Sequence, residues 1–211
     1  MRYNELTFQG RNAVLEAFRS GKTIDKLFIL DGCQDGPIKS IVREAKKTDA
    51  IINYVDKERL DRLAGTGHHQ GVVAIGAAYE YAEVEDILAA AKEKGEDPFI
   101  FILDEIEDPH NLGAIIRTAN LAGAHGVIIP KRRAVGLTAT VAKTSAGAIN
   151  YTPVAKVTNI SQTIEELKKQ GLWFVCADMG GETMYNLNLK GPIGLVIGNE
   201  GNGVSRLVKD K

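Results

Sequence analysis

The chain has 211 residues, 44% of them apolar and 25% charged, with 26 basic against 27 acidic side chains and a net charge of −1. These are ordinary values for a folded, soluble protein with room for one large domain or two small ones. No run of 18 apolar residues and no signal-peptide pattern occurs, which argues against a membrane span and points to the cytoplasm. Cys33 and Cys176 stand alone, so neither a disulfide framework nor a metal site is expected.

Residues 1–77 read as a small α/β unit. Arg11 to Ser20 sets Val14, Ala17 and Phe18 at helical spacing, and Gly21 ends the run. Lys26–Leu30 predicts a strand, Pro37 to about Lys47 a helix with proline in its first turn, and Ile51–Val55 a second strand. Asp56 can cap a helix to about Leu63, Gly65-Thr66-Gly67 turns the chain, and Val72–Ala77 makes a third strand. Residues 78–97 carry seven acidic side chains against two basic ones, with Ile87, Leu88 and Ala91 at helical spacing. They read as an acidic hinge containing a short helix.

Residues 98–211 alternate strands and helices. Phe99–Leu103 is five bulky residues with no polar face, the pattern of a strand buried on both sides. Pro109 breaks the chain, and Asn111 is placed to cap a helix that runs to about Ala122 before Gly123 stops it. On that helix Leu112, Ile115, Ile116, Ala119 and Ala122 share one arc, and Gly113, Arg117 and Asn120 fall on the other side. Next come a strand at Gly126–Ile129, a helix from about Thr138 to Gly147 and a strand near Tyr151–Val157. A helix at Ile160–Gln170, a strand at Trp173–Ala177 and a strand at Gly194–Ile197 complete a doubly wound parallel pattern. Such sheets bind ligands beyond the carboxyl ends of their strands. That edge would gather Asp104–Asp108, Asn111, Arg117, the basic triplet Lys131-Arg132-Arg133 and the loop after Ile197.

That last loop, Gly198-Asn199-Glu200-Gly201-Asn202-Gly203, resembles a dinucleotide turn except at Glu200, where a carboxylate would repel a pyrophosphate. An acidic group is tolerated beside a ligand that carries no phosphate and has a positive sulfonium.

Two blocks carry a family resemblance. Asp104-x-x-x-Asp108-Pro-x-Asn111-x-Gly113-x-x-x-Arg117-x-Ala119 resembles the first motif of the SpoU-type RNA ribose 2'-O-methyltransferases, within the knotted SPOUT superfamily. Leu195-Val-Ile-Gly198-Asn-Glu200-Gly201-Asn-Gly203 resembles their second. Residues 1–77, with Gly10-Arg11-Asn-Ala-Val and His68-His69-Gln70-Gly71-Val72, resemble the ribosomal-protein-L30e-like RNA-binding domain that precedes some of these enzymes. The resemblance divides the chain into an RNA-binding domain at 1–77, a linker at 78–97 and a catalytic domain at 98–211 with a C-terminal trefoil knot.

It also implies S-adenosylmethionine as cofactor, held by Ile197, Gly198, Asn199, Glu200 and Gly201, with Met179 and Gly180 lining the same cavity. Catalysis falls to Asn111, Arg117 and Glu200. Arg117 would clamp a phosphate and acidify the 2'-hydroxyl, and Glu200 could accept its proton, since a guanidinium is a poor base. RNA contacts are implied at Arg11, His69, Gln70, Lys131, Arg132, Arg133 and Ser145, the last in a Lys143–Ala148 block whose small residues suit close helix packing. The substrate implied is a guanosine of 23S ribosomal RNA, and the assembly a homodimer through the 98–211 lobe, each RNA site borrowing residues from the other subunit. Charge permits this: residues 1–77 and 98–211 each carry twelve basic against ten acidic groups, and the acidity sits in 78–97.

The family's third motif has no counterpart before Lys211, so the knot is expected to be incomplete in these residues. The rival readings are a tRNA methyltransferase, an adenosine-targeting rRNA methyltransferase, a non-catalytic RNA-binding relative and, last, an NAD-dependent oxidoreductase.

Overall fold

The structure, a computed structural model, describes residues 6–48, 50–65 and 67–211; Thr66, in the expected turn, lies outside them. The chain divides into two compact units. The first reaches to Glu80 and includes Gly136–Ala139, and the second comprises Tyr81–Val135 and Thr140–Lys211.

The first unit is a four-stranded sheet in the order β1-β4-β2-β3, built from β1 (Leu6–Gln9), β2 (Ile24–Leu30), β3 (Ile51–Val55) and β4 (Val72–Gly76). β2 pairs parallel with β3 and antiparallel with β4, while β1 pairs antiparallel with β4. Strand alternation sends Leu27 and Ile29 to a core shared with α1 (Arg11–Arg19) and α2 (Gly36–Lys47), and Phe28 to a core with α3 (Lys57–Ala64). Asp35 and Asp56 cap α2 and α3 by accepting from Ile38 N and Arg59 N, and Pro37 sits in the first turn of α2. β1 is not expected from the sequence, because four residues at a sheet edge, none of them buried, carry no periodic signal.

In the second unit β5 (Phe99–Leu103), β6 (Gly126–Pro130), β7 (Val154–Val157), β8 (Trp173–Ala177) and β9 (Ile193–Ile197) form a wholly parallel sheet in the order β7-β6-β5-β9-β8. Ile100, Ile102 and Ile128 face a core shared with α4 (Val84–Lys94), α7 (Ile160–Lys169) and Val208 of the short α8 (Arg206–Lys209). Phe101, Leu103, Val127 and Ile129 point the other way, toward the side on which α5 (Pro109–Leu121) packs against β6. Burial on both faces is why these strands lack polar alternation.

The acidic segment departs from a hinge. Its helix α4 inserts Ile87 and Ala91, both fully buried, into the second core, and a Cβ on Gly126 would lie 2.5 Å from Ile87. The acidic residues lie on the exposed side of an amphipathic helix, where Glu83 and Asp86 form a capping box. The element expected at Thr138–Gly147 is shorter too. α6 is Ala139–Thr144, and residues 148–150 make a separate 3-10 turn after Gly147 at φ 90°.

Candidate active site

The strand order reverses between β5 and β9. The chain passes from β5 to α5 on one face of the sheet and from β9 toward α8 on the other, so the carboxyl-end loops of these neighbours flank one crevice. One loop carries Asp104–Asp108 and the other Gly198–Ser205, and the two are wired together. Asp104, buried, accepts from Ser205 N at 2.7 Å, and the Glu105 carbonyl accepts from Asn199 Nδ2 at 3.1 Å. Asn199 Oδ1 accepts from Gly201 N at 2.8 Å and from Asn202 N, and the backbones of Asn199 and Gly203 bond in both directions. Gly198 is required here, because a Cβ would lie 2.1 Å from the backbone carbon of Gly203. The Asn199 side chain is thus spent inside the loop and is not turned to a ligand.

This wiring brings two of the expected catalytic groups together. Asn111 Nδ2 donates to Glu200 Oε1 at 2.9 Å across 89 residues of chain. Asn111 does so because it is not the cap. Asp108 caps α5, accepting from His110 N and Asn111 N, and Pro109 takes the first helical position, so the Asn111 amide is free to turn outward. Thr144 Oγ1 of α6 lies 3.2 Å from the Pro109 carbonyl and 2.9 Å from that of Thr140, so its one proton is shared between that first turn and its own helix. Gly113 permits the approach, since its Cβ would fall 1.9 Å from Thr144 Oγ1. The helix side expected to face outward is therefore buried at Gly113, and Asn120 bonds Thr152 Oγ1 at 3.0 Å.

Arg117 is not at this pair. It lies six residues on, about 9 Å along the helix axis and roughly 120° around it. Its side chain is exposed, and its guanidinium has no partner among the described residues.

Beside Glu200 is a cleft of about 470 Å³ lined by Ala177, Asp178, Met179 and the run Ile197–Gly203. That size suits a small-molecule ligand, for which about 300–1,000 Å³ is usual. Met179 is almost fully exposed at its rim, while Gly180, at φ 85°, lies beyond the lining. Asp178 is not among the expected site residues, although its place at the end of a parallel strand is a usable signal. Lys209 donates to it at 2.6 Å and holds its carboxyl below the usual range, and Asp178 in turn raises the Lys209 ammonium. Cys176 is pushed up by burial and by Asp178. Acids, backbone amides and a methionine, with the nearest lysine already paired, fit a compact sulfonium-bearing nucleoside better than a dianionic pyrophosphate.

The candidate RNA contacts divide. Arg132 is exposed, Lys131 half-buried, and Arg133 pairs with Glu105 at 3.0 Å, which raises the guanidinium further. Ser145 is fully buried and its hydroxyl donates to the Ala142 carbonyl, an arrangement that suits the close helix packing expected of its block. His69 is held by its own chain. It is buried, accepts from Gly71 N at Nδ1 and meets Asp61 Oδ1 at 2.8 Å through Nε2, so both ring nitrogens hold the loop. Gln70 is exposed at φ 50°, accepts from Arg11 N and Nε, and Arg11 pairs with Asp35 at 2.5 Å. Among the described residues no helix is long and apolar enough to cross a membrane, and no group of three His, Cys, Asp or Glu could hold a metal ion.

A parallel sheet with a paired amide and carboxylate at the ends of two neighbouring strands, beside a cleft of small-molecule size, agrees with the SpoU-type methyltransferase that the two motif blocks resemble. The chain belongs to the SpoU rRNA Methylase family, whose model matches residues 98–211, and residues 9–82 match the RNA 2'-O ribose methyltransferase substrate-binding family. YacO of Bacillus subtilis (strain 168), assigned by name to the TrmH family of tRNA/rRNA methyltransferases, is 52% identical over 203 residues, covering 96% of this chain and 81% of YacO. A protein of Staphylococcus haemolyticus assigned to the same family is 48% identical over 208 residues, covering 98% and 83%. Among solved structures, the AdoMet-bound rRNA methyltransferase of Sinorhizobium meliloti aligns over 98% of this chain and 75% of its own, with a TM-score of 0.55 and 22% identity. The SpoU methyltransferase AviRb of Streptomyces viridochromogenes, in complex with AdoMet, aligns over 98% and 77%, with a TM-score of 0.56 and 19% identity. These two likenesses concern the fold.

Proposed function

We propose that the chain transfers a methyl group from S-adenosylmethionine to a ribose 2'-oxygen of RNA, with a guanosine of large-subunit ribosomal RNA as the target, in the cytoplasm. The observation that carries this reading is the 2.9 Å bond between Asn111 and Glu200 beside the cleft. The attacking 2'-hydroxyl must be held in line and must lose its proton. Asn111 fixes one Glu200 oxygen and leaves the other to accept from the hydroxyl. Backbone groups of Ile197, Gly198 and Gly201, with Met179 at the rim, would hold S-adenosylmethionine, which when bound supplies an electrophilic methyl on a sulfonium. Arg11 and Gln70 in the first unit, and the Lys131–Arg133 triplet in the second, would each contact RNA.

The position of Arg117 supports a homodimer in which this residue serves the site of a second copy, clamping the adjacent phosphate there. Transfer of labelled methyl groups to unmodified ribosomal RNA and to tRNA, followed by mapping of ribose methylation, tests the substrate. Labelling of tRNA alone would move the target, and calorimetry showing tighter binding of NAD than of S-adenosylmethionine would sink the assignment. Mixing inactive Arg117→Ala and Glu200→Ala subunits tests the shared site. Mixed dimers each regain one intact site, up to about a quarter of wild-type activity, whereas no recovery in confirmed mixed dimers rules out sharing.

A further inference from the structure

The triplet Lys131–Arg133 contains one side chain unlike its neighbours. Arg133 stands at φ 54° and Glu105 at φ 58°, both in the left-handed region that non-glycine residues seldom occupy. Such strain persists only where surroundings hold it, and it gathers at functional sites. These two residues hold each other. Arg133 Nη1 donates to Glu105 Oε1 at 3.0 Å, and Val135 N, two residues on, donates to the Ile106 carbonyl. The Arg133 side chain remains 77% exposed, and the Glu105 bond uses only Nη1. The Glu105 carbonyl meanwhile accepts from Asn199, the residue that closes the cleft loop.

We propose that Arg133 contacts an RNA phosphate with its free donors and that Glu105 is a positioning residue, registering this contact to the cleft loop through its own peptide. The inference rests on the methyltransferase reading and adds to it a fixed distance between a backbone phosphate and the Glu200 loop. A guanidinium already held in one orientation loses less conformational freedom on binding than a free arginine. Arg132 and Lys131 would supply diffuse charge, while Arg133 would set the register of the strand.

The test is binding of an unmodified large-subunit ribosomal RNA transcript across a salt series, with S-adenosylmethionine affinity measured separately by calorimetry. Arg133→Ala should weaken RNA binding and make the salt slope shallower by about one. Glu105→Gln keeps the carbonyl that Asn199 uses and the Arg133 charge. It should weaken binding several-fold, leave the slope intact and leave cofactor affinity unchanged. The double variant should bind no worse than Arg133→Ala alone. Unchanged affinity and slope in Arg133→Ala would overturn the phosphate contact. Tighter RNA binding by Glu105→Gln would overturn positioning, because Glu105 would then be withholding the arginine. Failure of the whole methyltransferase reading would instead appear as absent S-adenosylmethionine binding in every protein, wild type included.

Discussion

As sequence, the His68–Val72 loop of the first unit and the Asn111 and Glu200 segments of the other unit are of one kind: polar side chains beside glycines, between apolar runs. The structure uses them in opposite ways. His69 is buried with both ring nitrogens engaged by its own chain, whereas Asn111 and Glu200 meet at an accessible edge where one carboxylate oxygen has no partner among the described residues. A polar residue whose bonds are all satisfied inside the fold supports the fold. One left with an unused acceptor at a strand-end crevice is available for chemistry.

The comparison breaks most readily at Glu200. Glu200→Ala should cost about 10²–10³-fold in kcat, the usual loss when one group that stabilises the transition state is removed, with the unfolding midpoint nearly unchanged because the side chain is exposed. Asn111→Ala should cost less, and the double variant should be no slower than Glu200→Ala, since the two act as a unit. Single-turnover methylation reads all three, and additive losses would separate the pair. His69→Ala should show the reverse pattern. It leaves the Gly71 amide and Asp61 without their partner, costing roughly 1–3 kcal/mol of stability in denaturant titration, while RNA affinity per folded molecule stays at the wild-type level. A selective loss of RNA binding at full stability would make His69 a contact residue after all.

The smallest effect concerns Asp178 and Lys209 at the cleft rim. Asp178 lies below its usual 3.8 through the bond from Lys209, so its contribution is present above that value and fades as pH falls through the depressed one. Lys209 lies above its usual 10.5, so its share is present below that value and fades as pH rises through the elevated one. Asp178→Asn should therefore lower the melting temperature slightly and evenly across neutral pH, with the gap to wild type closing in acid below 3.8 and in strong alkali. The pair is over a third exposed, so the shift stays small. An equal gap at about pH 2 would remove the ion pair as its cause.

Much of the fold is legible because buried strands and helix ends have local signatures. Phe99–Leu103 is apolar without alternation, and Pro37, Asp56 and Gly123 mark helix boundaries within one turn. The cap of α5 lies one turn before the expected Asn111, because Asp108 and Asn111 both satisfy the local rule and only the structure shows which accepts the free amides. The 78–97 segment reads as a hinge because charge dominates its composition, while two residues, Ile87 and Ala91, decide its packing.

By itself the sequence determined the order of the main elements from α1 to β9, the two motif blocks and the residue types able to position a hydroxyl, since these depend on neighbours within a few positions. Only the tertiary structure decided which of those residues meet. Strand order carried Asn111 to Glu200 across 89 residues, and the packed fold buried Ser145 and His69 and turned Asn199 into a brace. Contacts between distant residues are set by which strands lie side by side, and that is a property of the whole packed sheet and not of any segment of chain.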